Sequence, residues 1–286
     1  MKNDSNLQIE SFKRVSTGVA GLDEIDKDET SRLRTGVKSL DELLRGGVVH
    51  SSVTALLGAA GTGKTTLGTR FLAEGVKQGE ECLYVGFYET PARILRKFPD
   101  LKGVRSLWNP PAEYSIDEVG EALINEVRNF KVKRVFIDGI QGIKDGMIQP
   151  DRLFRTLAAL TYKLRALGAT TFFAEETELF PVALHTTASD HSAITDNVVY
   201  FKQVDLDCKV SRYLSVIKSR DNYSSSDVRK FHISHNTLDI DLATSGVDTV
   251  YSGSAHRKEG ARVKSVRRTP VKRPVKAKKA VKRRSS

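Results

Sequence analysis

Cysteine, tryptophan and long apolar runs are all scarce in this sequence. Its 286 residues include two cysteines, Cys82 and Cys208, and one tryptophan. Cys82 begins a predicted strand, and we expect both cysteines to be reduced core residues rather than a disulfide or a metal site. No stretch approaches the ~20 apolar residues of a membrane-spanning helix, and the first ten residues, MKNDSNLQIE, lack the apolar core of a signal peptide. We therefore expect a cytoplasmic protein with no membrane partner.

Acidic and aromatic residues are nearly absent from the C-terminal segment. Residues 256–286 hold 14 of the 46 Lys and Arg residues but one of the 35 Asp and Glu residues, Glu259. The preceding residues are close to neutral, with 32 basic and 34 acidic side chains. We expect a disordered basic tail, since it cannot bury enough apolar surface to offset the entropy of ordering. Such a tail is a candidate for non-specific nucleic-acid binding; the alternative is a solubilising or protein-docking segment.

The chain divides into an N-terminal extension at 1–31, a domain at 32–255 and the basic tail at 256–286. The extension contains Thr17-Gly-Val-x-x-Leu-Asp-Glu-Ile25, which recurs as Thr35-Gly-Val-x-x-Leu-Asp-Glu-Leu43. Only the second copy leads into Gly46-Gly47 and a long apolar strand, so it is the working start of the domain. The first copy is a partial duplication, an element that packs on a neighbour, or a coincidence, and we assign it no chemistry.

Strand and helix patterns alternate from Arg34 onward. The predicted strands are 53–57, 82–87, 134–138, 169–174, 197–201, 213–218 and 230–234; the predicted helices are 64–77, 91–98, 116–129 and 150–167. Strands separated by helices of this length predict βαβ crossovers and a parallel sheet. The last three strands lack intervening helices, which predicts an antiparallel extension at one sheet edge. Ligands bind such sheets at the carboxyl ends of the strands. Trp108 falls between the predicted elements, in a loop whose indole we expect to cover the edge of the core.

One short stretch fits the phosphate-binding pattern G-x-x-x-x-G-K-[ST]: Gly58, Ala59, Ala60, Gly61, Thr62, Gly63, Lys64 and Thr65. Its glycines let backbone N–H groups fold around a triphosphate, while Lys64 reaches the β- and γ-phosphates and the Thr65 hydroxyl ligates Mg²⁺. Thr66 continues into a helix whose N-terminal dipole favours anions. An ordinary glycine-rich turn would not explain why Lys and Thr follow the last glycine directly. The pattern therefore predicts a nucleotide site.

A second motif suits the same chemistry. Arg134-Val-Phe-Ile-Asp138 is an apolar strand that ends in a carboxylate, which is typical of a Walker B strand. We expect Asp138 to hold Mg²⁺ or its water from the strand adjoining the phosphate loop. The simpler alternative is an aspartate that caps a strand end.

The order of these motifs resembles that of the KaiC-type ATPases of the RecA/RadA superfamily. It runs from Thr35-Gly-x-x-x-Leu-Asp-x-Leu-x-x-Gly-Gly47 through the phosphate loop and the Glu89-Thr-Pro turn to Asp138. It continues through Ser192-Ala-Ile-Thr-Asp196, Leu214-Ser-Val-Ile-Lys218-Ser-Arg220 and Ser252-Gly-Ser254. The resemblance covers about residues 32–255. It implies an α/β, RecA-like P-loop NTPase with a mostly parallel central sheet flanked by helices and an antiparallel edge extension, which binds ATP and Mg²⁺.

The resemblance also assigns catalytic candidates. In that family two adjacent glutamates end the second strand and activate the attacking water; here Tyr88 takes the first position and Glu89 the second. A tyrosine is not a ready base at neutral pH, so we expect slow hydrolysis, or nucleotide binding coupled to a change of shape. Glu89 remains a catalytic candidate, and it could also stabilise the helix that starts at Pro91.

The family's K-x-R pair reaches the γ-phosphate of the adjacent subunit in a hexameric ring. The resemblance therefore implies that Lys218 and Arg220 act in trans, as cations that neutralise charge on the transferred phosphoryl group. The plainer alternative is two exposed strand charges. The family's following Gly and His are absent after Arg220. Ser192 matches a serine acceptor of the autophosphorylating members, but Ala193 replaces the adjacent threonine, which argues against a two-site phosphorylation cycle.

Two functions stay open at this point. The first is an ATPase or slow nucleotide switch that forms a homo-oligomeric ring, a hexamer by resemblance, whose state a signalling partner reads. The alternative is an ATP-controlled, recombinase-like protein that binds nucleic acid. Tyr88 favours slow turnover, and the basic tail favours nucleic acid. A largely inactive scaffold is a third reading.

Overall fold

The computed structural model describes residues 31–110, 115–145, 147, 152–177, 193–206, 209–220, 228–234, 237–241, 247–248 and 256–257. The helices are α1 (Lys38–Leu43), α2 (Lys64–Lys77), α3 (Pro91–Lys97), α4 (Ile116–Phe130), α5 (Gln141–Asp145) and α6 (Leu153–Ala166). The first eight strands along the chain are β1 (Arg32–Leu33), β2 (Val48–Val49), β3 (Val53–Gly58), β4 (Cys82–Gly86), β5 (Arg105–Trp108), β6 (Arg134–Asp138), β7 (Thr170–Glu176) and β8 (Asn197–Leu206). They are followed by β9 (Lys209–Ser219), β10 (Arg229–Ser234), β11 (Thr237–Ile240), β12 (Val247–Asp248) and β13 (His256–Arg257).

Nine of the described strands form one sheet in the order β11-β10-β9-β8-β3-β7-β6-β4-β5. The six strands from β8 to β5 run parallel to one another. The hairpin partners β9, β10 and β11 are added antiparallel at the β8 side. The α/β class, the mostly parallel sheet and the antiparallel extension predicted from the sequence are therefore confirmed.

The helices cover both faces of this sheet and divide the core into two clusters. On one face α2 packs over β6 and β7, where the ring of Phe71 stacks on Phe172 with centroids 4.0 Å apart. On the other face α4 and α6 cover strand residues such as Val85 and Phe173. Because side chains alternate along a strand, β3, β4, β6, β7 and β8 each send residues into both clusters. This two-sided burial explains the near-continuous apolar runs in the sequence.

Two predictions about individual elements are wrong. Trp108 does not cover the core from a loop: it ends β5, the edge strand paired with β4, and 41% of it is exposed. Its strand alternates half-buried and exposed residues, so it lacks the apolar run that marks the inner strands. β6 also does not adjoin β3, because β7 lies between them.

The second copy of the repeated motif shows what its shared residues do. The amide and hydroxyl of Thr35 both donate to Asp41 Oδ1, each at 2.7 Å. Val37 and Leu40 are buried under the α2 side of the sheet. Gly36 has φ +81°, and a Cβ there would lie 2.7 Å from the Arg70 carbonyl oxygen. The motif is therefore a folded turn that docks α1; its first copy, at 17–25, lies outside the described residues.

Three other predictions fall largely outside the described residues. Cys208 and Ser192 are among the residues that the structure does not describe. Of the predicted tail, the structure describes His256–Arg257, which pair antiparallel with Val247–Asp248. Within the described part of the chain, no helix is both long enough and apolar enough to cross a membrane.

Candidate functional site

The phosphate loop joins the end of β3 to the start of α2. Gly63, the residue before α2, has φ +111°, and a Cβ there would lie 2.8 Å from Ile233 Cδ1 of β10. Glycine is thus favoured at this position by its backbone conformation. No side chain of the described residues caps the N-terminus of α2. The first N–H groups of this helix therefore remain available to an anion.

Lys64 is folded into the loop. Its Nζ donates to the carbonyl oxygens of Gly58 and Ala59, at 2.7 and 2.8 Å. Burial lowers the pKa of Lys64, and the nearby carboxylates of Glu176 and Asp138 oppose this by raising it. The ammonium group thus lies within the turn of the loop, next to the donors of α2.

The Thr65 hydroxyl and the Asp138 carboxylate meet directly. Thr65 Oγ1 donates to Asp138 Oδ1 at 3.0 Å, and the Tyr84 hydroxyl donates to Asp138 Oδ2 at 3.0 Å. Burial raises the pKa of Asp138, while these two hydrogen bonds lower it. An adjacent hydroxyl and carboxylate are hard oxygen ligands that suit Mg²⁺. β7 separates β6, which ends in Asp138, from β3, which leads into Thr65. The contact forms because α2, which carries Thr65, packs against β6.

Tyr88 and Glu89 follow β4 at the same edge of the sheet. The Tyr88 hydroxyl donates to Asp145 Oδ2 of α5 at 2.6 Å, and Tyr88 is 57% exposed. Partial burial, and then the hydrogen bond to Asp145, raise the pKa of Tyr88, so it is no base at neutral pH. Glu89 accepts two hydrogen bonds from Lys97 Nζ of α3, at 2.5 and 2.9 Å. Its carboxylate is thus held by the helix that follows it.

These residues line one cleft of about 550 Å³ above the phosphate loop. Besides the residues predicted from the sequence, the cleft is lined by Glu176, from the end of β7, and Ile233, from β10. The sequence prediction missed Glu176 because it ended that strand at residue 174. The available signal was a carboxylate directly after a buried apolar run, the same signal that identified Asp138. A larger groove, of about 1040 Å³, lies between α4 and α6 and is lined by none of the phosphate-loop residues.

Lys218 and Arg220 lie at the opposite end of the sheet. Lys218 pairs with Val198 near the start of β8, whereas Gly58 of the phosphate loop pairs with Phe201. Three residues of strand separate these levels by about 10 Å, and Arg220 lies further away. The structure therefore does not bring these two cations to the phosphate loop of their own chain.

Both cations instead contact the segment 193–196. Lys218 Nζ donates to the Thr195 carbonyl at 2.8 Å, and Arg220 Nη2 donates to the Ala193 carbonyl at 3.0 Å. Arg220 also lies 3.4 Å from Asp196 Oδ1. β9 ends at Ser219, so Arg220 follows the strand rather than forming part of it.

Asp196 connects this end of the sheet to β3. Its Oδ2 accepts the Val53 N–H at 2.8 Å and pairs with Arg165 Nη2 of α6 at 2.7 Å. The Asp196 N–H donates in return to the Val53 carbonyl at 2.8 Å. The sequence places Asp196 in the motif Ser192-Ala-Ile-Thr-Asp196 but does not indicate a role for it. Its position shows that it fixes the start of the strand that carries the phosphate loop.

Comparison with known proteins agrees with this arrangement. The family model described as "ATPase: KaiC" matches residues 33–103 and 102–245. "Circadian clock oscillator protein KaiC 1" of Synechocystis sp. is 29% identical over 242 residues, covering 81% of this chain and 46% of that protein. "Circadian clock oscillator protein KaiC" of Rippkaea orientalis is 28% identical with the same coverage. The chain thus spans about half the length of the curated relatives it matches.

Proposed function

Because the chain belongs to the KaiC family of ATPases, we propose that it binds ATP with Mg²⁺ at residues 58–66 and hydrolyses it slowly as a regulatory switch. The observation that carries this proposal is the phosphate loop itself. An uncapped helix N-terminus, the buried Lys64 ammonium and the Thr65–Asp138 pair converge on one cleft. The expected location is the cytoplasm, which suits a reduced, buried Cys82.

Each part of the loop has a defined task in binding. The N–H groups of Gly61 to Thr66 surround the phosphates, and the ammonium of Lys64 exchanges the Gly58 and Ala59 carbonyls for β- and γ-phosphate oxygens. Thr65 and Asp138 would hold Mg²⁺, which neutralises charge on the β- and γ-phosphates. Tyr84 keeps the second oxygen of Asp138 hydrogen-bonded and so fixes the carboxylate plane.

Slow turnover is expected from the residues that replace the family's glutamate pair. Tyr88 donates its hydroxyl proton to Asp145 and cannot act as a base near pH 7. Glu89 lines the cleft, but two hydrogen bonds from Lys97 already hold its carboxylate. A water activated by Glu89 must therefore compete with an ammonium group.

The position of Lys218 and Arg220 supports a ring. Since they lie about 10 Å or more along the sheet from their own phosphate loop, catalysis by them requires a second chain. We infer a homo-oligomer, a hexamer as the family resemblance implies, in which each chain supplies these cations to its neighbour's nucleotide. A partner protein would then read the nucleotide state of the ring. The relatives are named circadian clock oscillator proteins, and we propose a regulatory role of that general kind.

The experiment that tests the proposal is ATP binding by Lys64→Ala. Loss of a hydrogen-bonded charge costs about 1.5–3 kcal/mol, so calorimetric titration with ATP and Mg²⁺ should show an affinity about 10- to 100-fold lower. Lys77→Ala is the matched control, because it removes an exposed lysine at the far end of the same helix. Unchanged affinity in Lys64→Ala, or an equal loss in Lys77→Ala, would contradict the site.

One observation favours the second candidate, an ATP-controlled nucleic-acid-binding protein. Residues 256–286 carry 14 Lys and Arg residues and no aromatic side chain. Such a segment can neutralise phosphates without reading bases, so the binding would be indifferent to sequence. This function is compatible with the ATPase proposal, since the tail and the nucleotide cleft are separate segments of the chain.

A further inference from the structure

We propose that Glu176 is a catalytic residue that orients the water attacking the γ-phosphate, in place of the family glutamate replaced by Tyr88. This inference rests on the proposed ATPase function and assigns a role within it. It concerns a residue that the phosphate-loop and Walker B motifs do not contain.

The sheet order places Glu176 between the two halves of the nucleotide site. β7 lies between β3, which leads into the phosphate loop, and β6, which ends in Asp138. Glu176 pairs with Gly58, the first residue of the loop, and the next amide, of Thr177, donates to the Gly58 carbonyl at 3.1 Å. The end of β7 is therefore fixed against the loop by backbone hydrogen bonds.

Alternation along β7 directs Glu176 toward the cleft. Phe172 stacks on Phe71 of α2, and Ala174 and Glu176, two and four residues later, line the cleft. Glu175 falls on the other face of the strand, toward the α4 and α6 side. Glu176 is thus the last side chain of β7 on the face that carries α2 and the phosphate loop.

Glu176 also reaches further out than Asp138. Ile137 pairs with Phe173, so Asp138 is level with Ala174 and Glu176 lies two residues beyond it. That offset is about 6–7 Å along the strand. A water on the far side of a bound phosphate needs a hydrogen-bond acceptor at the outer part of the cleft, beyond the ligands of the metal.

The charges of the cleft agree with this placement. Burial lowers the pKa of Lys64, and the largest opposing effect comes from Glu176, ahead of Asp138. Glu176 also adds a smaller contribution to the raised pKa of Tyr88, after burial and Asp145. The carboxylate therefore acts electrostatically on the lysine that binds phosphate and on the tyrosine that replaces the glutamate.

Glu176 is available where the other carboxylates are engaged. The others around the cleft are hydrogen-bonded to neighbouring side chains: Glu89 to Lys97, Asp138 to Thr65 and Tyr84, and Asp145 to Tyr88 and Gln141. Glu176 is exposed to the cleft, and it has no hydrogen-bond or ion-pair partner among the described residues. It can therefore accept a hydrogen bond from water without first breaking another contact.

The step is the hydrolysis of ATP. The water oxygen forms a bond to the γ-phosphorus while the bond between the γ-phosphorus and the β,γ-bridging oxygen breaks. The electron pair of the broken bond stays on the bridging oxygen, which leaves with ADP. The water proton passes to the Glu176 carboxylate and then to the released phosphate, which leaves the glutamate ionised for the next turnover.

Phosphate release by full-length Glu176→Gln, compared with wild type, tests the role. We expect kcat to fall about 10²- to 10⁴-fold, as for loss of a general base, while calorimetric ATP affinity stays within a few-fold. Glu176→Asp, which keeps the carboxylate but shortens its reach, should retain an intermediate rate. The matched control is Glu175→Gln on the opposite face of β7, which should keep kcat within a few-fold. Thermal melting of each variant identifies a loss that comes from unfolding.

The outcomes separate this inference from the function on which it rests. Glu176→Gln with wild-type kcat, together with a large loss in Glu89→Gln, would overturn the inference and leave the ATPase proposal standing. An equal fall of kcat in both Glu176→Gln and Glu175→Gln would also overturn it, since the effect would then be structural. A wild-type protein that binds ATP but releases no phosphate would overturn both hydrolysis and this role.

Discussion

Replacing Asp196 with alanine should destabilise the domain by about 1–5 kcal/mol, a sum built from three contacts. Asp196 is 5% exposed, so the Val53 N–H that it accepts would be left buried without an acceptor, at a cost of about 1–3 kcal/mol. Its two cationic partners, Arg165 and Arg220, are 34% and 45% exposed. Water solvates them, so each ion pair adds at most about 1 kcal/mol.

Urea denaturation followed by circular dichroism, without nucleotide and at one protein concentration, measures this loss. Asp196→Asn keeps an acceptor for the Val53 N–H and loses the charge, so it should cost about 1 kcal/mol or less per lost ion pair. The matched control is Asp100→Ala: this 59% exposed carboxylate pairs with Arg70 at 3.0 Å and should contribute less than about 1 kcal/mol. A loss below about 1 kcal/mol in Asp196→Ala, or equal losses in the Ala and Asn variants, would refute the assignment to Val53.

Three further predictions concern the ring, the missing glutamate and the tail. The Arg220→Ala and Lys64→Ala proteins should each lack ATP turnover alone. A mixture of the two should regain part of the turnover, because some sites then combine an intact phosphate loop with an intact Arg220 from the neighbour. No regain after subunit exchange would contradict action in trans. Tyr88→Glu should raise phosphate release by restoring the carboxylate pair, whereas Tyr88→Phe, which loses only the hydroxyl bonded to Asp145, should not. Deleting residues 258–286 should remove salt-dependent DNA binding. In the full chain, DNA affinity should weaken about 10³- to 10⁵-fold between 50 and 200 mM salt. Equal DNA affinity of the truncated protein would exclude the tail as the contact.

The parallel part of the fold could be read from the sequence because its strands are buried on both faces. β3 and β6 are continuous apolar runs, and the predicted bounds differ from the observed ones by at most one residue. β5 was missed because an edge strand of four residues, half of them exposed, has no such run. β8 and β9 extend well beyond their predicted ends. Residues 202–206 and 209–212 pair with each other and include polar residues such as Lys202, Gln203 and Arg212, which interrupt the apolar pattern.

The order of strands in the sheet could not be read in the same way. Periodicity reports which residues of a strand are buried, but it does not report which strand lies next to it. Asp138 was expected beside the phosphate loop, and it does contact Thr65, yet it does so across the end of β7. The same intervening strand brings Glu176 into the cleft. That carboxylate was missed for a separate reason, because the predicted strand ended at residue 174.

The two ends of β3 tie the nucleotide cleft to the cations proposed to act on a neighbour. Gly58, at the carboxyl end, begins the phosphate loop. Val53, at the amino end, donates its N–H to the Asp196 carboxylate and accepts the Asp196 N–H at its carbonyl. Asp196 in turn accepts from Arg220 through its side chain and receives the Arg220 N–H at its carbonyl, at 2.9 Å. A six-residue strand therefore separates the loop that binds one nucleotide from the arginine proposed for the next. In the proposed ring, a shift of β3 on nucleotide binding would move Arg220 relative to the adjoining site. Asp196→Asn removes the charge from the contacts with Arg165 and Arg220, so it should weaken the dependence of each site on its neighbour's nucleotide.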